Sequence, residues 1–337
     1  MTRSKSPDAT IGGQQSGNQK LATNLGHETA SGTDNEASSR LPEQSRLIWF
    51  AGFAMLLTVS FAQPLISLVR FAAPSSLNSY ILLVPFISAY LFYIRLEQLP
   101  KTHKSSPGWA IIPLCGGLVT LAAAWMKNAA RQTDDYFALM TLSFVCLLAA
   151  GGFLFLGKRW MAAASFPFAF LIFMVPMPNA MAVTIEAGLK LASAEAANLF
   201  FSIAGTPVLR EGTFFQLPNI VIQVAQECSG IRSSLILFIT GLLAGNLFLK
   251  STWRRAVLVC FVIPLGILRN GFRVFVIGTL CVHFGPQMIH SIIHRRGGPI
   301  FFALSLIPLF LLLWWLRRGE ERERRSEDRG RRADVGP

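Results

Sequence analysis

Long apolar runs, interrupted by short basic or turn-rich stretches, dominate this chain. A helix that crosses a bilayer needs about 20 mostly apolar residues. Eight runs reach or approach that length: 47–69, 79–95, 109–126, 136–156, 162–177, 233–249, 256–282 and 299–316. The second and fifth are short and are expected to tilt or to be lengthened at their ends. Residues 179–204 depart from the pattern. Glu186, Lys190 and Glu195 recur there at helical spacing among leucines and alanines. Three charges make a crossing costly, so an amphipathic helix lying at the interface is expected. Thr206 to Gln226 is richer in β-branched and aromatic residues, broken by Gly212 and by Pro218–Asn219. Two short strands or extended segments are expected there. Residues 1–46 are polar and lack apolar periodicity, which predicts a disordered tail with no cleavable signal peptide. The pattern therefore predicts an all-α polytopic membrane protein of about eight transmembrane helices. A small extracytoplasmic elaboration, an interfacial helix and short strands, lies before Cys228.

Composition agrees with this class. Of the 337 residues 52% are hydrophobic and only 15% charged, and the mean hydropathy is +0.46. A soluble domain carries about a quarter charged residues. The net charge of +13 would suggest nucleic acid on a soluble protein. Here the basic residues flank apolar spans, so they set orientation and touch lipid, and no nucleic-acid partner is expected. With the N-terminus inside, most of the 31 basic residues fall on one face: those before Leu47, Arg95, Lys101, Lys104, Lys158, Arg159, Lys250, Arg254, Arg255 and the arginines after Leu316. Both termini are therefore expected in the cytoplasm. The domains expected are a cytoplasmic tail at 1–46, a transmembrane domain at 47–316 and a basic cytoplasmic tail at 317–337, with no second soluble domain. A crossing by 179–204 would invert the later segments, which the charge count disfavours.

Four of the five cysteines, Cys115, Cys146, Cys260 and Cys281, lie in apolar runs and are expected to be small buried residues. Cysteine and histidine spacings match no metal site, and no cofactor is expected. Cys228 stands apart in a polar, turn-rich stretch just before a spanning helix. A helix N-terminus and the nearby Arg232 favour a thiolate there. Arg269, Asn270 and Arg273 sit within the 256–282 span, and an intramembrane charge is a functional signal by default. Arg273 is about 26 Å from the start of that helix at 1.5 Å per residue, close to the outer rim. Arg269 is one turn deeper on the same face. His290 and His294 precede the last span on the outer side, where an imidazole could move protons for a nearby thiol. A snorkelling arginine, a small cysteine at a helix start and histidines beside headgroups are the plain readings of each residue alone.

Together the segments SYILLVPFISAYL, FPFAFLIFMVPMPNA, GTPVLREGTFFQLPN, IVIQVAQECSGIRSS, LRNGFRVF and HRRGGPIFF resemble the exosortase and archaeosortase family, from about Ser79 to Phe302. The resemblance implies Cys228 as nucleophile, Arg273 as essential arginine and His294 as essential histidine. Arg232 matches a common family position. Archaeal members tend to carry arginine where His294 stands, so the chain is similar to the bacterial type. Implied substrates are secreted proteins with a C-terminal Pro-Glu-Pro-like signal, an apolar helix and a basic end. They would be cut near the motif and passed to a surface acceptor, without metal or cofactor. Membrane lipids are the other partners expected. The resemblance leaves the long N-terminal tail unexplained. A different class fits the arginines too: a transporter or scaffold for lipid-linked exopolysaccharide, with Arg269, Arg273, Arg295 and Arg296 holding phosphate.

Overall fold

The structure, a computed structural model, describes residues 45–75, 77–96, 99–100, 105–126, 133–218, 220–224, 230–285 and 292–334. Of residues 292–297, 330 and 332–334 it describes the backbone alone. The chain divides into two compact units, one ending at Pro176 and the other beginning at Met177, with Phe71–Tyr80 belonging to the second. Among the described residues five helices are long and apolar enough to cross a membrane by themselves, and two bent helix pairs pass only when each pair is taken together.

In the first unit, α1 (Ser45–Ser60) and α2 (Ala62–Ala72) meet at a bend of 66°. Pro64 explains it. Proline lacks the N–H that would bond the Ser60 carbonyl, and its ring clashes with that group. The expected straight span at 47–69 is thus broken at Phe61. A 3-10 turn (Ser79–Leu83) leads into α3 (Val84–Arg95). Helices α4 (Pro107–Met126) and α5 (Asp134–Phe155) lie against each other through small residues. A Cβ on Gly117 would come within 2.9 Å of Leu147 Cγ. At the same spot Ser143 Oγ donates to the Gly117 carbonyl at 2.8 Å. Lipid offers apolar side chains no worse a solvent than protein does, so such close backbone approach drives helix pairing in a membrane. The fifth expected span is not one helix. It is α6 (Lys158–Ala163), α7 (Ser165–Phe170) and a 3-10 turn (Leu171–Met174). Pro167 lies within α7, and Pro176 and Pro178 follow. Ser88 Oγ donates to the Pro167 carbonyl at 2.7 Å and anchors these pieces to α3.

The second unit holds α8 (Asn179–Ile203), three strands, α9 (Ile231–Phe248), α10 (Thr252–Phe284) and α11 (Ile292–Asp334). The strands β1 (Leu209–Glu211), β2 (Phe214–Leu217) and β3 (Ile220–Gln223) form an antiparallel sheet in that order. The extended stretch expected as two pieces is therefore three. Gly212, at φ 60°, lies in the first turn, a backbone state glycine adopts without penalty. Phe215 and Leu217 alternate inward from β2 and join Ala194, Ala197, Phe201, Val224 and Val274 in a core. A second core, including Leu237, Leu258, Val262, Leu309 and Leu313, joins α9, α10 and α11.

Helix α8 packs along α10. A Cβ on Gly271 would meet Ala196 Cβ at 2.5 Å, and one on Gly278 would meet the Phe201 ring at 2.6 Å. Five residues of α8, about 7.5 Å, therefore keep pace with seven of α10, about 10.5 Å. The two helices run side by side in the same direction. Its charges are partly neutralised: Lys190 pairs with Glu186 at 3.2 Å, and Glu195 with Arg210 of β1 at 2.8 Å.

Cysteine burial corrects an expectation. Of the four described cysteines only Cys281 is buried; Cys146 is intermediate, and Cys115 and Cys260 are exposed. An apolar sequence surrounding a cysteine does not distinguish a protein-facing from a lipid-facing position. The helix of the last span does not end near Leu316; α11 continues past the apolar run to Asp334. Arg317 pairs with Glu321 at 3.0 Å, one turn away, a spacing that supports exposed helix.

Candidate active site

The first turn of α9 rests on the middle of α10. Gly230 is its N-cap, in the left-handed region at φ 73°, and it lies directly over the Asn270 side chain. A Cβ there would sit 2.9 Å from Asn270 Cγ and 3.0 Å from Oδ1. Both the backbone state and the space demand glycine. Asn270 is 2% exposed and Arg269 8% exposed. Arg269 donates from Nη2 to Ser234 Oγ at 3.4 Å, a long contact. Its Nη1 is buried with no hydrogen-bond partner among the described residues. Gly266 makes room for Ser234, since a Cβ there would meet Ser234 Oγ at 2.9 Å. A buried arginine of α10 and a serine of α9 thus meet inside an apolar bundle.

Arg273 is one turn further along α10 and half-buried. Its neighbours in sequence, Phe272 and Phe275, belong to an aromatic group with Phe200, Phe201 and Phe301. Phe200 lies 5.6 Å from Phe272, and Phe201 lies 5.2 Å from Phe275. Phe301 of α11 meets Phe272 edge-on at 6.2 Å. These rings hold water away from that part of α10, and low local dielectric strengthens whatever charge interactions Arg273 makes.

Of the residues singled out from sequence, Arg269, Asn270 and Arg273 lie along one stretch of α10, and Arg232 is exposed on the first turn of α9. Cys228 and His290 lie outside the described residues. Cys228 is two residues before Gly230 in the sequence. His294 belongs to α11, seven residues or about 10.5 Å before Phe301 along the helix, and nothing is described of its side chain. Sequence reasoning missed Ser234 and the phenylalanine group. A signal for the first existed: Gly266 stands three residues before Arg269, where a neighbouring helix must approach closely.

A multi-pass α-helical membrane protein in which a buried arginine of α10 meets a serine of α9, with Asn270 beneath the α9 N-cap, is the class defined so far. The family model for transmembrane exosortases matches residues 72–311, and the chain belongs to that family. No curated protein and no solved structure matches it.

Proposed function

We propose that this protein is a membrane-embedded cysteine transpeptidase that removes a C-terminal sorting signal from secreted proteins and passes them to a surface acceptor. The observation that carries the reading is the seat of Gly230 on Asn270, which brings the chain next to Cys228 against the arginine block of α10 in a chain of the exosortase family. In this reading Cys228 Sγ attacks the peptide carbonyl carbon near a Pro-Glu-Pro-like motif. Arg273 offsets negative charge on the thiolate or on the tetrahedral oxyanion. His294 takes the thiol proton and delivers it to the leaving amine, whose C–N bond breaks to leave a thioester. An acceptor nucleophile then attacks the thioester, Sγ leaves, and the thiol regains its proton; water in the acceptor's role gives hydrolysis. Arg269 and Asn270 support the site, and Arg232 and His290 lie near it in sequence.

We further propose a bacterial inner membrane location, with both termini cytoplasmic and the site facing the periplasm. Eight crossings are retained if α8, running with α10, crosses where the broken α6–α7 segment does not. The basic residues 250–255 then stay on the same side as both termini, as the positive-inside rule requires.

The test is processing of a tagged secreted protein bearing such a signal in cells making the full chain. Cys228→Ala and Cys228→Ser should abolish cleavage while the protein still accumulates in the membrane. Mass spectrometry of the new C-terminus identifies the acceptor or its absence. Normal processing by the alanine variant removes the mechanism and leaves the transporter reading, which thiol labelling of Cys228 tests from the outer side.

A further inference from the structure

The end of the second unit opposite Gly230 carries a hollow of about 440 Å³ where α11 passes the α9–α10 turn. Its lining combines Lys250, Arg317 and Arg324 with Glu320, Glu321, Leu247 and Phe248. The carboxylates are already committed. Glu320 accepts the main-chain N–H groups of Lys250 and Ser251 at 3.1 and 3.0 Å, at the N-terminus of α10. Glu321 accepts from Arg317 Nε at 3.0 Å. Arg324 stands off at 3.8 Å from Glu320. The Lys250 ammonium group has no ion-pair partner among the described residues. An adjoining hollow on the far side of Glu321 adds Arg318, Arg322 and Arg325.

Two further observations fix the depth of this hollow. Trp253, Trp314 and Trp315 are exposed at the same end, as the aromatic belt at a membrane interface requires, and Arg318 lies 3.7 Å over the Trp314 ring. Leu247 and Phe248 are 47% and 49% exposed, so an apolar wall stands directly beside the cations. A ligand that suits both surfaces has a phosphate and a hydrocarbon chain.

We propose that this hollow is a binding site for the headgroup of an anionic phospholipid in the leaflet at this end of the bundle. The phosphate lies among Lys250, Arg317 and Arg324, and an acyl chain lies along Leu247 and Phe248. Because Glu320 ties the α9–α10 turn to α11 at the same place, the lipid would bridge the same two elements. The proposal does not depend on the catalytic reading.

The test is native mass spectrometry of the purified full chain in neutral detergent, titrated with phosphatidylglycerol, phosphatidylcholine or inorganic phosphate. Phosphatidylglycerol should be retained at concentrations at which phosphatidylcholine is lost. Lys250→Gln should weaken it about fivefold, the loss expected for one cation near an anionic lipid surface. Its main-chain bond to Glu320 survives the change, and Lys250→Arg should bind as the native chain does. Lys158→Gln removes a cation that stacks on Trp109 in the other unit and should change nothing. Equal retention of both lipids, unaltered binding by Lys250→Gln, loss of binding in Lys250→Arg, or displacement by millimolar inorganic phosphate would each overturn the site.

Discussion

Replacing Gly230 by alanine tests the packing on which the active-site reading rests. Two costs are separable. An alanine in the left-handed region costs about 1–2 kcal/mol, because φ there is 73°. The added methyl carbon would also meet Asn270 Cγ at 2.9 Å, Oδ1 at 3.0 Å and Cβ at 3.3 Å. Asn270 is 2% exposed, so it has no room to swing aside, and forced overpacking adds about 1–3 kcal/mol. The expected total is about 2–5 kcal/mol. Gly205 supplies the control. It has φ 65°, and a methyl group added there would meet nothing within 4 Å, so Gly205→Ala meets the backbone cost alone. Unfolding of both variants by denaturing detergent, beside the native chain, measures the difference. Adding Asn270→Ala to Gly230→Ala should recover at least about 1 kcal/mol relative to the sum of the single changes, since contacting residues couple by about 0.5–3 kcal/mol. If Gly230→Ala is no more costly than Gly205→Ala, or if the double variant is strictly additive, then the first turn of α9 does not rest on Asn270 and the active-site reading loses the observation that carries it.

Gly271→Ala drives a methyl into Ala196 Cβ at 2.5 Å and into the Ala197 main-chain nitrogen at 2.9 Å. Backbone cannot rotate away, so α8 and α10 must separate at a cost of about 3 kcal/mol; loss of the intact protein from membranes, or a lower midpoint in detergent, reads it out, and native-like stability refutes the side-by-side packing. Glu320→Gln should loosen the α9–α10 turn by about 0.5–2 kcal/mol, the usual value of a side-chain cap on helix N–H groups. Faster tryptic cleavage at Arg254 and Arg255 is the expected signature, while Glu321→Gln, which removes only an exposed pair with Arg317, should leave the rate near that of the native chain.

The apolar runs predicted the long helices to within a few residues. Pro107–Met126, Asp134–Phe155 and Ile231–Phe248 lie close to their expected bounds, because twenty apolar residues have few alternatives in a membrane. Interruptions were harder to read. Pro64, Pro167, Pro176 and Pro178 were visible, yet whether a proline bends or ends a helix depends on what its neighbours can re-satisfy. At α8 the charges of Glu186, Lys190 and Glu195 were plain, while the face formed by Ser193, Ala194 and Ala197, which is buried, was not; the Glu195–Arg210 pair joins residues of two elements. Arg269 and Arg273 were legible because a charge inside an apolar run has few innocent explanations. Ser234 was not, since a serine near a helix start is ordinary until its partner is known.

Val224 donates its main-chain N–H to the Thr213 carbonyl at 3.0 Å, which ties the end of β3 to the sheet. Gly230 is fixed on Asn270 six residues later. Five residues, Cys228 among them, separate these two points in the sequence. Lengthening that connection by a residue or two costs little folding free energy, because closure entropy grows only slowly with length. Reaction rate tolerates far less slack, since a displacement of about 1 Å at a reacting atom costs about a hundredfold. Stability and alignment between Val224 and Gly230 therefore answer to different constraints, and insertions there offer a way to separate a folded protein from a working one.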